Sequence, residues 1–397
     1  MVALAALAPV GCHHDDSAPY PEWIPAHAIP VRRGALAELR QVGVEAEAAV
    51  RGIQHKAAPS GKEVREMDAK LVPLMAAVSR ACSLPVVDDY VPEASLAPNL
   101  SRIGWAALGG AYERRLHAAV AKRDYVEAAR LDAEGTRFAL IVACGDASDA
   151  LVGYPIADSL RRILAPALRD LEPGQLSKLA AAVTAALMDR LSPATIASHE
   201  RLAMLAAIQA VQDAYRDGHL AALAGQFGLT TKDAFDALEN DKGRAESKRA
   251  AFFAAMAADA EAEATWLNQA IETAAAQRPP EPNPKSSSKA PWHSLARQFI
   301  LAGGAMLSAN DLTLARTRML ALTCDLYAIG KTSGAVPRDL HLFPPELNKD
   351  PYTGRPFYFV PEGLDFKLYS AGLDGIDNLG ETDDTGTQPD VLLEGFF

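Results

Sequence analysis

Between Ser370 and Val391 the chain reads SAGLDGIDNLGETDDTGTQPDV, a stretch that carries Asp374, Asp377, Glu381, Asp383, Asp384 and Asp390 and no Lys or Arg. Carboxylates this close repel one another, so such a segment either stays loose in solvent or folds around a cation. The chemistry on offer is that of a hard divalent ion. Calcium takes about six to eight oxygen ligands, and backbone carbonyls must supply several of them because carboxylates alone would overcharge the site.

Other chemistry-bearing patterns are sparse. The chain has no G-x-S-x-G, H-E-x-x-H, P-loop or dinucleotide fingerprint. His199 and Glu200 stand at a helix start without a second histidine, which predicts a solvated helix face rather than a zinc site. Asp124, Glu127, Asp132 and Glu134 lie at helical spacing from Arg123, Arg130 and Arg137, and surface ion pairs are the expectation for all four. His13, His14, Asp15 and Asp16 are good ligand types, but adjacent residues in a tether are poorly preorganised for a metal. Cys12, Cys82, Cys144 and Cys324 are scattered without C-x-x-C spacing. Cys82 and Cys144 could pair in an exported chain, while buried thiols in helices are the simpler expectation.

The elements that must position these residues are mostly helical. In 397 residues Ala and Leu are abundant and aromatics make up 7%, the composition of closely packed helices. A net charge of −11 argues against a partner held through nucleic-acid phosphates. After a proline-rich tether over residues 13–30, apolar residues recur at three and four from Arg32 onward, and Ser60 with Glu63 predicts a capping box for a second helix through Val78. Ser83 to Pro98 reads as a loop. Further helices are predicted over Tyr154–Leu171, Pro173–Leu191, Pro193–Gly218 and, in one or two pieces divided near Gly243, Thr230–Gln277. The α-helical domain thus spans 31–278, and Pro279–Pro291 reads as a linker to a C-terminal domain over 292–397, or equally as an excursion within one helical body, since helix resumes at Trp292. There Leu312–Ile329 predicts a helix, and DPYTGRPFYFV with LDFKLYSAG predicts two strands, giving a helix on a small antiparallel sheet.

Trp105, Leu108, Gly109 and Tyr112, followed by Ala121, Tyr125 and Ala128, fit the spacing of one tetratricopeptide repeat over 102–135, although Ala133 replaces the terminal proline. One such unit cannot bury its face alone, so the remaining helices must stack on it as a solenoid or an irregular helical body. The opening MVALAALAPVGC resembles the end of a bacterial lipoprotein signal peptide over residues 1–12. That resemblance implies export, lipidation of Cys12 and a membrane anchor on the periplasmic side. No other apolar run is long enough to span a bilayer.

Leu326-Tyr327, Gly334, Val336-Pro337, Asp350-Pro351, Gly354, Pro356, Phe366, Tyr369-Ser370, Gly372 and Asp374-Gly375 occur in an order that resembles the globular part of the major (G-type) pseudopilin of type II secretion. In that family the acidic loop wraps a calcium ion that locks the C-terminal segment onto the sheet. The resemblance implies ligands at Asp374 and Asp390, with Asp377, Asp383 and Asp384 competing for the remaining places. Asn378 and Leu379 stand where the family's loop has glycines. The leader and long apolar helix of a filament-forming pseudopilin do not precede Leu312, so filament membership is not implied. The whole arrangement, including LVGYPIADSLRRIL at Leu151–Leu164, resembles a broad group of bacterial envelope lipoproteins for which no reaction carries over. The expectation is a non-enzymatic envelope protein with a helical protein-binding region and a calcium-stabilised tail. The alternatives are an adaptor of a type II secretion-like apparatus and an enzyme with its site among the helices.

Overall fold

The computed structural model describes residues 34–53, 60–92, 100–217, 246–278, 293–382 and 390–393. Cys12, the tether, the 279–291 linker, Asp383 and Asp384 lie outside them.

Helix α1 (Ala35–Val50) buries Leu36, Leu39, Val42, Ala46 and Val50, the three-and-four stripe of an amphipathic helix. Helix α2 (Gly61–Cys82) opens at the expected capping box, in which the Ser60 amide donates to Glu63 at 2.7 Å and the Glu63 amide donates to Ser60 Oγ. Helices α3 (Leu100–Ala121) and α4 (Tyr125–Val142) form a tight hairpin. The turn between them forces Arg123 to φ 56°, and Asp124 then caps α4. Helix α5 (Ala147–Leu164) runs into a 3-10 turn at Ala165–Asp170 and is followed by α6 (Pro173–Met188), α7 (Pro193–Arg216) and α8 (Glu246–Glu272). Helix α9 (His293–Ser333) is continuous for 41 residues, joining the helix expected to resume at Trp292 to the one expected over Leu312–Ile329. The short α10 (Pro345–Asn348) leads to β1 (Tyr358–Glu362), β2 (Asp365–Ser370) and β3 (Val391–Leu392).

Small residues set the helix crossings. A Cβ added at Gly104 of α3 would collide with the Gly43 carbonyl of α1, so the two backbones touch there, and the Trp105 indole N–H reaches the Leu39 carbonyl at 2.7 Å. Gly109, expected to admit a close helix neighbour, faces Ile156 of α5. Trp105, Leu108 and Tyr112 are fully buried, as core residues of a helical hairpin should be. Yet α1 packs on α3, and α9 returns from the far end of the chain to pack on α5 and α6. A solenoid unit touches only its neighbours, so this is an irregular helical body.

The sheet is antiparallel in the order β1-β2-β3, with Tyr358 opposite Tyr369 and Tyr369 opposite Leu392. A two-residue loop joins β1 to β2, and Gly363 at φ +75° supplies its left-handed position. Phe366 of β2 sits 5.1 Å, ring to ring, from Tyr327 of α9. One hydrophobic core runs from Leu36 through Leu179 and Leu322 to Leu393, so the strands and the N-terminal helices share it. Each large apolar side chain buried there contributes roughly 1.5–3 kcal/mol. The coarse expectation of a mainly α-helical chain with a small antiparallel sheet is met. Among the described residues no helix is long and apolar enough to cross a membrane.

Candidate functional site

The acidic loop is ordered by its own carboxylates over the part described. Asp374 Oδ1 accepts the Ile376 amide at 3.0 Å, and Asp377 Oδ1 accepts the Leu379 amide at 2.8 Å and the Tyr369 hydroxyl at 2.9 Å. Asp390, just before β3, accepts two amides on Oδ2, from Gly380 at 2.7 Å and Asn378 at 3.2 Å. The residue has no exposed surface, and its Oδ1 has no hydrogen-bond partner among the described residues. Burial pushes the Asp390 carboxyl above its ordinary range, against the pull of the Gly380 and Asn378 amides. Leu379 takes φ +61°, the conformation a glycine would adopt without strain, while its side chain stands 71% exposed.

Asp350 anchors the turn beneath this loop. Its buried carboxylate accepts the Tyr352 amide, the Thr353 hydroxyl and the Ser370 hydroxyl, each at 2.9 Å. Gly354 completes the turn at φ +71°. The structure therefore brings Asp350, Gly354 and Ser370 together, and it brings Asp390 against the Asn378 and Gly380 amides that follow Asp377, while Asp374 caps its own turn. Asp374 and Asp377 are exposed where Asp390 is buried. Among the described residues no three His, Cys, Asp or Glu side chains cluster closely enough to hold a metal.

A second polar assembly surrounds the N-terminus of α5. Asp146 caps that helix by accepting the Asp149 amide at 2.9 Å. Arg102 of α3 straddles both acids, with Nε 2.6 Å from Asp149 and Nη2 2.6 Å from Asp146. Arg40 of α1 adds a 3.0 Å contact to Asp149, and the Tyr90 hydroxyl donates to Asp146 at 2.9 Å. Burial, reinforced by Asp146, holds the Asp149 carboxyl above its ordinary range, while the two arginines oppose the shift. Burial disfavours the charge on Arg102, yet Asp149 and Asp146 outweigh it and hold the guanidinium above its usual range. Burial, with Asp146 and Asp149 behind it, raises the Tyr90 hydroxyl well above its ordinary value.

His199 and Glu200 belong to this assembly, which corrects the expectation of a solvated face. His199 is 1% exposed and Glu200 3%. The imidazole stacks on Tyr90 at 4.5 Å, with Nδ1 2.8 Å from the Cys144 carbonyl and Nε2 2.9 Å from Asp88. Glu200 accepts the Ala147 amide at 2.7 Å, another free N–H of the α5 terminus. Burial first, then Asp146 and Glu263, push its carboxyl up to about 8 against the pull of that amide. The buried Glu263 of α8 lies against Gly303 of α9, where a Cβ would stand 2.9 Å from its Oε1.

The four helical carboxylates of α4 divide. Glu127 and Glu134 pair with Arg130 at 2.7 and 2.6 Å, as expected, and Asp124 caps the helix. Arg137 instead reaches Asp189 at 2.6 Å. Asp132 is fully buried with no hydrogen-bond partner on either oxygen among the described residues, so the surface-pair expectation fails there: α4 is packed between α3, α5 and α6, and Arg161 of α5 is the charge that acts on this carboxyl. Cys82, Cys144 and Cys324 are all buried free thiols.

No family model matches the chain, and neither a curated protein nor a solved structure matches it. Sequence reading missed Arg40, Arg102, Asp146 and Asp149. The DASD spacing of Asp146 and Asp149 ahead of an apolar run is a helix-start signal that marks the acids. Nothing local marks which distant arginines meet them.

Proposed function

We propose that this chain is a non-enzymatic cell-envelope protein, exported and held at the membrane by lipid on Cys12, with a helical region that binds a protein partner. Its C-terminal segment is a pseudopilin-like tail in which calcium is structural. The observation that carries the reading is Asp390: a carboxylate without exposed surface, one oxygen holding two loop amides and the other unpartnered among the described residues, in a segment that contains no basic residue after Lys367. A cation there offsets a cost that the described protein atoms leave standing. Asp390, Asp377 and Asp374 would contribute carboxylate oxygens. Asp383 and Asp384 lie outside the described residues and remain in the proposed ligand set. The ion would supply charge neutralisation and no activated water.

The buried assembly at α5 supports the non-enzymatic part. Its acids are engaged by arginines, a tyrosine and helix amides, the arrangement of a lattice that fixes α1, α3 and α5 together. The test is thermal unfolding of the full chain in calcium and in chelator, with bound metal measured by calorimetry. The melting point is expected to rise by several degrees at saturating calcium, as ligand linkage requires. Equal midpoints with no heat of binding would remove the ion from the account.

A further inference from the structure

Asp132 of α4 is enclosed on every side. Arg161 of α5, itself 2% exposed, is the charge that acts on it, but Arg161 donates to Asp158 at 2.7 Å. Asp158 also receives Arg316 of α9 at 3.1 and 3.2 Å, with the exposed Arg162 at 3.7 Å. Arg316 in turn donates its Nε to the Leu392 carbonyl of β3 at 3.3 Å, which joins this set of helix contacts to the strand. From α9 the buried thiol of Cys324, with Asp325 beside it, interacts with Asp132. From α3 the ring of Tyr112 packs against Gly135, one turn along, while α6 turns apolar side chains such as Leu179 and Val183 into the core.

An ionised carboxylate with no hydrogen bond in such surroundings is costly, and the group takes a proton instead. Burial pushes Asp132 up to about 7 against the opposing charge of Arg161. We propose that Asp132 is a proton-operated latch between the helical body and the terminal strand. Protonated, it leaves Arg161 to Asp158. Ionised, it draws Arg161 toward itself, Asp158 then takes Arg316 as its remaining buried partner, and the long bond from Arg316 to the Leu392 carbonyl is the first to be lost.

The sign follows from linkage. The folded chain holds a proton that the unfolded chain gives up near pH 4, so stability falls as pH rises from about 4 to about 7 and levels off above it. The test compares the full chain with Asp132→Asn, a near-isosteric group that cannot ionise, by urea unfolding between pH 4 and 8.5. The ratio of their unfolding constants is expected to change about tenfold per pH unit up to about 7 and then flatten. Amide exchange over 390–393, corrected for its intrinsic pH dependence, is expected to quicken above pH 7 in the wild type and not in the variant. Parallel pH profiles would overturn the proton site, and a pH-dependent difference without any change in exchange over 390–393 would overturn the latch. Should the variant fail to fold, 13C spectra of aspartate-labelled wild type decide: every aspartate carboxyl titrating below pH 5 would overturn the proposal.

Discussion

The α5 terminus and the C-terminal loop solve the same problem with different means. Both gather carboxylates around backbone amides, as Asp146 does for Asp149 and Asp390 does for Asn378 and Gly380. At α5 the countercharge arrives from distant helices, because Arg40 and Arg102 lie on α1 and α3. In the loop no basic residue lies between Lys367 and Asp390, and among the described residues backbone amides and the Tyr369 hydroxyl serve the carboxylates. Charge–charge pairing binds helices to one another, whereas amide capping only folds the loop upon itself. The first region is therefore a tertiary clasp and the second a local one.

Removing Arg102 should break that comparison hardest. Arg102→Met keeps the apolar stem but strips both acids of a shared partner, leaving Arg40 alone to serve Asp149. A loss of about 3 kcal/mol is expected in urea unfolding, since uncompensated buried charge is the costly outcome. Arg102→Lys should recover less than half of it, because one ammonium cannot replace a fork that contacts two carboxylates. A loss below about 1 kcal/mol for the methionine variant would show that water serves the acids as well as arginine does. In the loop, Asp390→Ala should cost about 1–3 kcal/mol by orphaning the amides of Asn378 and Gly380. That loss should appear as faster amide exchange confined to 377–382 and β3, with the helices unchanged. Exchange spreading into α9 would mean that the loop is a tertiary clasp after all.

Local grammar was legible in the sequence, and long-range pairing was not. The Ser60–Glu63 capping box, the strand pair ending in Ser370 and the buried Trp105 and Tyr112 follow from spacing alone. Helix was expected from Trp292 and again over Leu312–Ile329, but the unbroken run of α9 was not, because polar Asn310 and Asp311 interrupt its apolar stripe. They are engaged instead by Tyr154 of α5 and Arg190 of the α6–α7 connection at Asn310 and by Arg278, beyond α8, at Asp311. Asp132, His199 and Glu200 failed for the same reason: the spacing that reads as solvent-facing on one helix says nothing about a second helix laid over it. The loop aspartates were legible as a group, since they lie close in sequence. Their division into exposed Asp374 and Asp377 and buried Asp390 depends on β3, which the pattern did not reveal.

Leu379 gives the finest test of the local clasp. Its backbone is held at φ +61° by the Asp377 and Asp390 bonds on either side, and its exposed side chain buries little that would offset the strain. A left-handed conformation costs a non-glycine residue about 1–2 kcal/mol, while glycine surrenders some of that gain to its greater freedom when unfolded. Leu379→Gly should therefore stabilise the chain by about 0.5–1 kcal/mol, the reverse of what leucine-to-glycine does at an ordinary position. If amide capping is what imposes the strain, the gain should vanish in the Asp390→Ala background, where the loop is free to relax. A gain that persists unchanged there would assign the strain to the sheet and its turn, and the loop would lose its standing as a self-contained unit.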